Sequence, residues 1–156
     1  MNREVKPMEI KKILWPTDLS GNAEKAQETV DSLAEKHQAE VHVLYVMEDP
    51  AIHEPWYGDF DREHIEKIQA WERNKANERL NEVCNKTLKG CPALFKEIAL
   101  GDPAEEILKA AEREKVDLVV MTTRGRTGGF PFGSVAEKVV KNGSIPVLTV
   151  PIHPFA

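Results

Sequence analysis

The run Val119-Val120-Met121-Thr122-Thr123-Arg124-Gly125-Arg126-Thr127-Gly128-Gly129-Phe130-Pro131-Phe132-Gly133-Ser134-Val135 constrains the fold of this chain more than any other. Asp117 to Met121 is apolar and rich in β-branched valine, which predicts a buried strand. A glycine-rich loop follows, and Val135-Ala136-Glu137-Lys138-Val139-Val140-Lys141 then reads as a helix. Ser134 is placed as its N-cap, with Glu137 three residues on, where a capping box needs it. Strand, glycine loop and helix N-terminus, in that order, make a place for phosphate. The N–H groups that a helix leaves over and the positive end of its dipole both favour an anion. Glycine lets the backbone approach with no Cβ in the way. Arg124 and Arg126 add positive charge to the loop.

The rest of the chain alternates in the same manner. Ile10 to Trp15 reads as a strand that Pro16 ends. Thr17 to Asn22 is a loop with several caps to choose from, and Ala23, Ala26, Val30, Leu33 and Ala34 then mark one helix face. Glu40 to Val46 is a nearly continuous apolar strand, which suits a sheet covered on both faces. His64 to Leu88 is a long helix whose stripe firms up at Ala76, Leu80, Val83 and Thr87–Leu88 before Gly90 and Pro92 stop it. Ala93 to Ala99 is a strand. Asp102, Pro103 and Glu105 open a helix with Ala104, Ile107, Leu108 and Ala111 on its buried face. Gly143 closes the last helix, and Pro146 to Pro151 is the last strand. Strands alternating with helices give a parallel sheet with helices on both faces. Ligands in such folds bind beyond the C-terminal ends of the strands, where strand order reverses. Loops 16–18, 46–49 and 122–134 converge there.

Length bounds the organisation. A chain of 156 residues is one ordinary domain. Residues 1–9 and 152–156 are expected to be tails around a domain at 10–151. Within it, 49–61 is a long loop carrying Pro50, Pro55 and Gly58 among Ile52, Trp56, Tyr57 and Phe60. That loop either lays its aromatics on the domain or a partner subunit, or closes over a ligand; the first is the plainer reading. A net charge of −5 disfavours general nucleic-acid binding. No apolar run reaches membrane-span length, and Met1 to Pro7 lacks the apolar core of a signal peptide, so no membrane association and a cytoplasmic protein are expected. Cys84 and Cys91 are then free thiols.

Lys12-Ile13-Leu14-Trp15-Pro16-Thr17-Asp18-Leu19-Ser20 resembles the opening of universal stress proteins. So does the close, in Gly125-Arg126-Thr127-Gly128, Gly133-Ser134-Val135-Ala136-Glu137-Lys138-Val139-Val140 and Ile145-Pro146-Val147-Leu148-Thr149-Val150. Gly101-Asp102-Pro103-Ala104-Glu105-Glu106-Ile107 fits the start of that family's third helix. The resemblance spans roughly residues 9–151. It implies an open five-stranded parallel sheet of order 3-2-1-4-5 and dimers through the last strand, with Val147, Leu148, Thr149 and Val150 at the contact. An apolar edge strand is in any case a liability unless covered.

The family's nucleotide-binding members carry Gly-x2-Gly-x9-Gly-Ser/Thr. Here the run is Thr122-x2-Gly125-x7-Gly133-Ser134, with Thr122 in place of the first glycine and seven intervening residues rather than nine. By resemblance, the nucleotide is held by Pro16, Asp18, Val46, Met121, Gly125, Gly133, Ser134 and Val135, with Thr122 and Arg124 beside them. The Thr122 side chain either crowds the phosphates or donates to them.

Other chemistry is weaker. Asp18 either contacts a sugar or a phosphate-bound metal, or caps a turn. Ser134 lacks a Gly-x-Ser-x-Gly elbow and a recognisable histidine partner. His53 and His64, with Glu54, Asp59, Asp61 and Glu63, form no fixed metal-binding spacing, and no metal site is assigned. No Walker A run and no Gly-x-Gly-x-x-Gly occur. The leading expectation is therefore an ATP-binding, non-enzymatic stress-response module, a homodimer that works through unidentified protein partners. ATP is expected with magnesium, no catalytic residue is assigned, and slow hydrolysis stays open. The alternatives are a family member that binds no nucleotide and acts through protein contacts, and a nucleotide hydrolase or transferase of related fold.

Overall fold

A computed structural model describes residues 4–49, 61–86, 89–124 and 132–152. Its elements are β1 (Lys12–Pro16), α1 (Gly21–Glu24), α2 (Gln27–His37), β2 (Glu40–Met47), α3 (Arg62–Lys86), β3 (Leu94–Leu100), α4 (Pro103–Arg113), β4 (Leu118–Thr122), α5 (Ser134–Asn142) and β5 (Val147–Val150). All four strand pairings are parallel, in the order β3-β2-β1-β4-β5. The chain builds outward from β1 to β3, then crosses back to β4, so order reverses between β1 and β4. Right-handed crossovers therefore place α1, α2 and α3 on one face and α4 and α5 on the other.

Side-chain alternation divides the core accordingly. Ile13, Trp15, Val41, Val43, Leu118 and Val120 pack with Ala26, Val30, Ala34, Leu80 and Val83 on the first face. Leu14, Leu44, Val119 and Met121 pack with Ala104, Ile107, Ala111, Ala136 and Val139 on the second. All five residues of β4 are buried, which is why that segment reads as a continuous apolar run. The Asp117 carboxylate accepts the amides of Lys11 and Lys12 at 2.8 and 2.9 Å and so ties the start of β1 to the start of β4.

Several local expectations are refined. The first helix is not continuous. Lys25 and Ala26 bond back three residues, to Asn22 and Ala23, which separates α1 from α2. That tighter turn brings both Ala23 and Ala26 to the core. Asp102 caps α4 as its sequence predicts, accepting the amide of Glu105 at 3.0 Å. Ser134, in contrast, is not a cap but the first residue of α5; the N-cap is Gly133, whose carbonyl takes the amide of Glu137 at 3.0 Å. The Glu137 carboxylate bonds Lys141 at 2.5 Å, one turn on. Only the second half of α3 is buried, through Ala76, Leu80, Val83 and Cys84. Residues 50–60 of the expected aromatic loop at 49–61 and residues 153–156 of the expected tail at 152–156 fall outside the described residues, as do Thr87 and Leu88, while Ile152 itself is buried. Among the described residues no helix is long and apolar enough to cross a membrane.

Candidate functional site

The end of β1 is set by local hydrogen bonds. The Thr17 amide donates to the carbonyl of Leu44 at 2.9 Å and carries the β1–β2 ladder past Pro16. The Thr17 hydroxyl accepts the Leu19 amide at 3.0 Å, and the Asp18 carboxylate accepts the Ser20 amide at 2.9 Å. Ser20 in turn caps α1 by accepting the Ala23 amide at 3.2 Å. Between them Leu19 has a φ of 61°, a left-handed conformation unusual for a bulky side chain. These interlocking bonds, and packing of Leu19 on the first core, keep it there. Asp18 is thus held half-buried at the mouth of the strand, one of its oxygens serving the turn.

At the end of β2, Val46 is half-buried against the second core. The Met47 carbonyl accepts the Gly101 amide at 2.9 Å, which brings the start of α4 alongside. Alternation places Pro16 with Leu14, Val46 with Leu44, and Met121 with Val119. Pro16, Val46 and Met121 therefore share the second face at the C-terminal edge of the sheet. Val135, from the first turn of α5, packs against the same cluster.

Beyond β4 the chain is held by its own polar groups. Thr122, Thr123 and Arg124 are all buried. Thr122 lies on the opposite face from Met121, and its hydroxyl donates to the carbonyl of Arg124 at 2.7 Å. The hydroxyl is engaged by the chain. Arg124 is only 5% exposed, so its positive charge lies at the base of the loop rather than on a solvated arm. The Gly133 amide donates to the Thr123 carbonyl at 2.5 Å. A Cβ on Gly133 would meet that same carbonyl at 3.1 Å, so glycine here serves the closure of the protein's own backbone.

The Gly133 amide is thus engaged by the Thr123 carbonyl. The helix leaves the N–H groups of Ser134, Val135 and Ala136 without intrahelical acceptors, and these carry the positive end of the α5 dipole. Ser134 is exposed and Val135 half-buried. Gly125, expected beside them, lies outside the described residues. Val46, Met121 and Val135 of the first turn of α5 thus pack in one cluster, Pro16 lies on the same face of the sheet, Asp18 stays at the mouth of β1, and Thr122 faces the other side. Thr123 is the residue that sequence reasoning passes over. Its one signal was a hydroxyl residue in the short step from buried strand to loop.

Other groups are engaged elsewhere. His64 Nδ1 lies 2.6 Å from the Asp61 carboxylate, which also accepts the His64 amide at 2.9 Å; these bonds hold Asp61 below the usual carboxylate range. Among the described residues no three His, Cys, Asp or Glu side chains gather as metal ligands. Neither Cys84 nor Cys91 is in a disulfide bond, and burial pushes both thiols upward, away from thiolate reactivity. An open concavity of about 370 Å³ lies toward the opposite end of the strands, lined by Lys12, Glu40, His42, Phe95, Glu97 and Glu114 among others. Its charges are met within the chain: Glu40 by Lys12 and His42, and Glu97 and Glu114 by Arg113. Phe95 stacks on His42 at 4.7 Å between ring centres.

A family model described as the universal stress protein family matches residues 9–151. Universal stress protein MJ0531 of Methanocaldococcus jannaschii is 36% identical over 143 residues, covering 90% of this chain and 81% of that protein. The solved structure of MJ0577, from the same organism, matches with a TM-score of 0.80 at 30% identity and covers 94% of this chain and 99% of that one. A universal stress protein from Archaeoglobus fulgidus, solved in complex with dAMP, shares the fold at 18% identity with a TM-score of 0.62, over 92% of this chain and 98% of that one.

Proposed function

This chain belongs to the universal stress protein family, and we propose that it is an adenine-nucleotide-binding module serving stress adaptation through partner proteins. The observation that carries this reading is the packing of Val135, from the α5 N-terminus, in one cluster with Val46 and Met121 at the C-terminal edge of the sheet, beside the order reversal between β1 and β4. The apolar wall suits a nucleoside, with Asp18 at its rim. The amides of Ser134, Val135 and Ala136 suit phosphate, helped by the buried charge of Arg124 and the backbone at Gly125. The ligand of this reading is ATP with magnesium. The dAMP in the Archaeoglobus fulgidus protein supports the choice of an adenine nucleotide only as a property of the fold in that protein. The Asp18 carboxylate is engaged in the turn after β1, and this reading assigns the module to binding rather than turnover, with no general base named. It works in the cytoplasm as a homodimer paired along β5.

Titration calorimetry with ATP and magnesium tests this. Saturable heat is expected with a Kd in the micromolar to millimolar range, on the order of −8 to −4 kcal/mol. No heat at millimolar ATP would sink the nucleotide reading. It would favour a protein that acts through protein contacts alone, the reading toward which Thr122 and the seven-residue spacing from Gly125 to Gly133 point. Phosphate release from the same sample measures any slow hydrolysis.

A further inference from the structure

Two other parts of the chain, the end of β5 and the start of α5, meet on Thr123 through three hydrogen bonds. Its N–H donates to the carbonyl of Val150 at 3.0 Å, at the end of β5. Its hydroxyl accepts the amide of Ile152 at 3.2 Å, in a buried setting. Its carbonyl accepts the amide of Gly133, the N-cap of α5, at 2.5 Å. Thr123 is 6% exposed and Ile152 8% exposed, so these groups have little water to turn to if the contacts open.

We propose that Thr123 is a positioning residue that couples the seating of Ile152 to the first turn of α5, so that anion binding there is regulated from the end of β5. The ligand in this inference rests on the nucleotide reading, while the coupling is a property of the chain. The mechanical link is short. The amide, hydroxyl and carbonyl belong to one residue whose peptide planes are stiff. A Cβ on Gly133 would lie only 3.1 Å from the Thr123 carbonyl, so no slack separates the two backbones. Release of Ile152 removes one of the bonds that orient Thr123 and loosens the Gly133 amide. An anion that holds the amides of Ser134 to Ala136 favours the seated Ile152 by the same factor, because coupling between two equilibria is reciprocal.

Amide exchange at Gly133 tests the coupling without any ligand. It is compared among the wild-type chain, Thr123→Val and a chain stopped after Pro151. Thr123→Val removes the acceptor, and the shortened chain removes the donor while leaving Thr123 intact. Each is expected to speed Gly133 exchange about three- to ten-fold, the worth of one hydrogen bond, and to weaken ATP by a similar factor. Thr123→Ser keeps the acceptor and restores both. If Thr123→Val does not fold, the shortened chain decides alone. Wild-type exchange at Gly133 in the shortened chain overturns the coupling. So does a fall in global stability with Gly133 exchange unchanged, since that marks a merely structural bond. If wild-type protein binds no ATP, the nucleotide reading fails, and Gly133 exchange still decides the coupling.

Discussion

The hydroxyl of Thr122 donates to the carbonyl of Arg124 at 2.7 Å, and the bond is buried. It ties the end of β4 to the first residue of the loop. Thr122→Val keeps the volume and leaves the Arg124 carbonyl without this donor. A loss of about 1–3 kcal/mol is expected from urea denaturation at an unchanged m-value, with Thr122→Ser close to wild type. Equal stability of the valine and serine variants would show that the bond contributes nothing.

Because Gly133 packs against the Thr123 carbonyl, a side chain there perturbs the fold as well as any ligand. Ser134 offers a cleaner probe, since it is exposed at the first position of α5. Ser134→Asp puts a negative charge at the positive end of the helix dipole, expected to stabilise the fold by about 0.3–1 kcal/mol. The same charge repels phosphate. Thermal unfolding should therefore rise while ATP affinity drops. A rise in Tm with ATP affinity unchanged would place the phosphates elsewhere.

Glu40 bridges strand starts by pairing with His42 at 3.1 Å and with Lys12 at 3.3 Å. The His42 hydrogen bond, and then Lys12, hold its carboxyl below the usual range against an opposing effect of burial. A carboxyl depressed on folding contributes stability that is complete above its unfolded value, about 4.3, and is lost as the pH falls through the folded one. Urea midpoints measured at pH 7 and below pH 4 should fall more for wild type than for Glu40→Gln, which does not titrate. The same drop in both proteins would remove Glu40 from the acid limb.

The carbonyls of Pro146 and Val150 accept amides from β4, those of Val119 and Thr123. Alternation then points the backbone groups of Val147 and Thr149 away from β4, toward the open edge. Leu148, by contrast, packs on the first core, so a charge there would damage the monomer too. Thr149→Pro removes one outward N–H and spares the ladder to β4. Light scattering is expected to show a dimer for wild type and a monomer for this variant, with thermal stability of the monomer largely kept. A dimer that persists would exclude pairing along this edge.

The layered fold was legible because its signals are local or strictly periodic. Leu118 to Met121, four consecutive buried residues of β4, leave an unbroken apolar run, and the face of α4 repeats at helical spacing. Asp102 was readable as a cap because its acceptor and the Glu105 amide are three residues apart on one turn. The strand order came from the family's residues at the two ends of the chain, and the structure has that order.

What escaped sequence reasoning depends on partners far along the chain. Ser134 and Gly133 are equally plausible caps in isolation; Gly133 takes the role because the Thr123 carbonyl, ten residues earlier, claims its amide and lets no Cβ stand between them. Which way Thr122 faces was decided by its place opposite Val150 in the sheet, and the use of its hydroxyl by the turn that follows. Thr123 drew no notice as a threonine after a strand, since its partners Val150 and Ile152 arrive only when β5 docks beside β4. The sequence by itself determined most of the elements and their alternation, because burial periodicity and helix caps act over a few residues. Only the tertiary structure decided which polar groups at the C-terminal end of the sheet are engaged by the chain itself, because each backbone amide and hydroxyl goes first to whatever acceptor or donor the packed strands bring within reach.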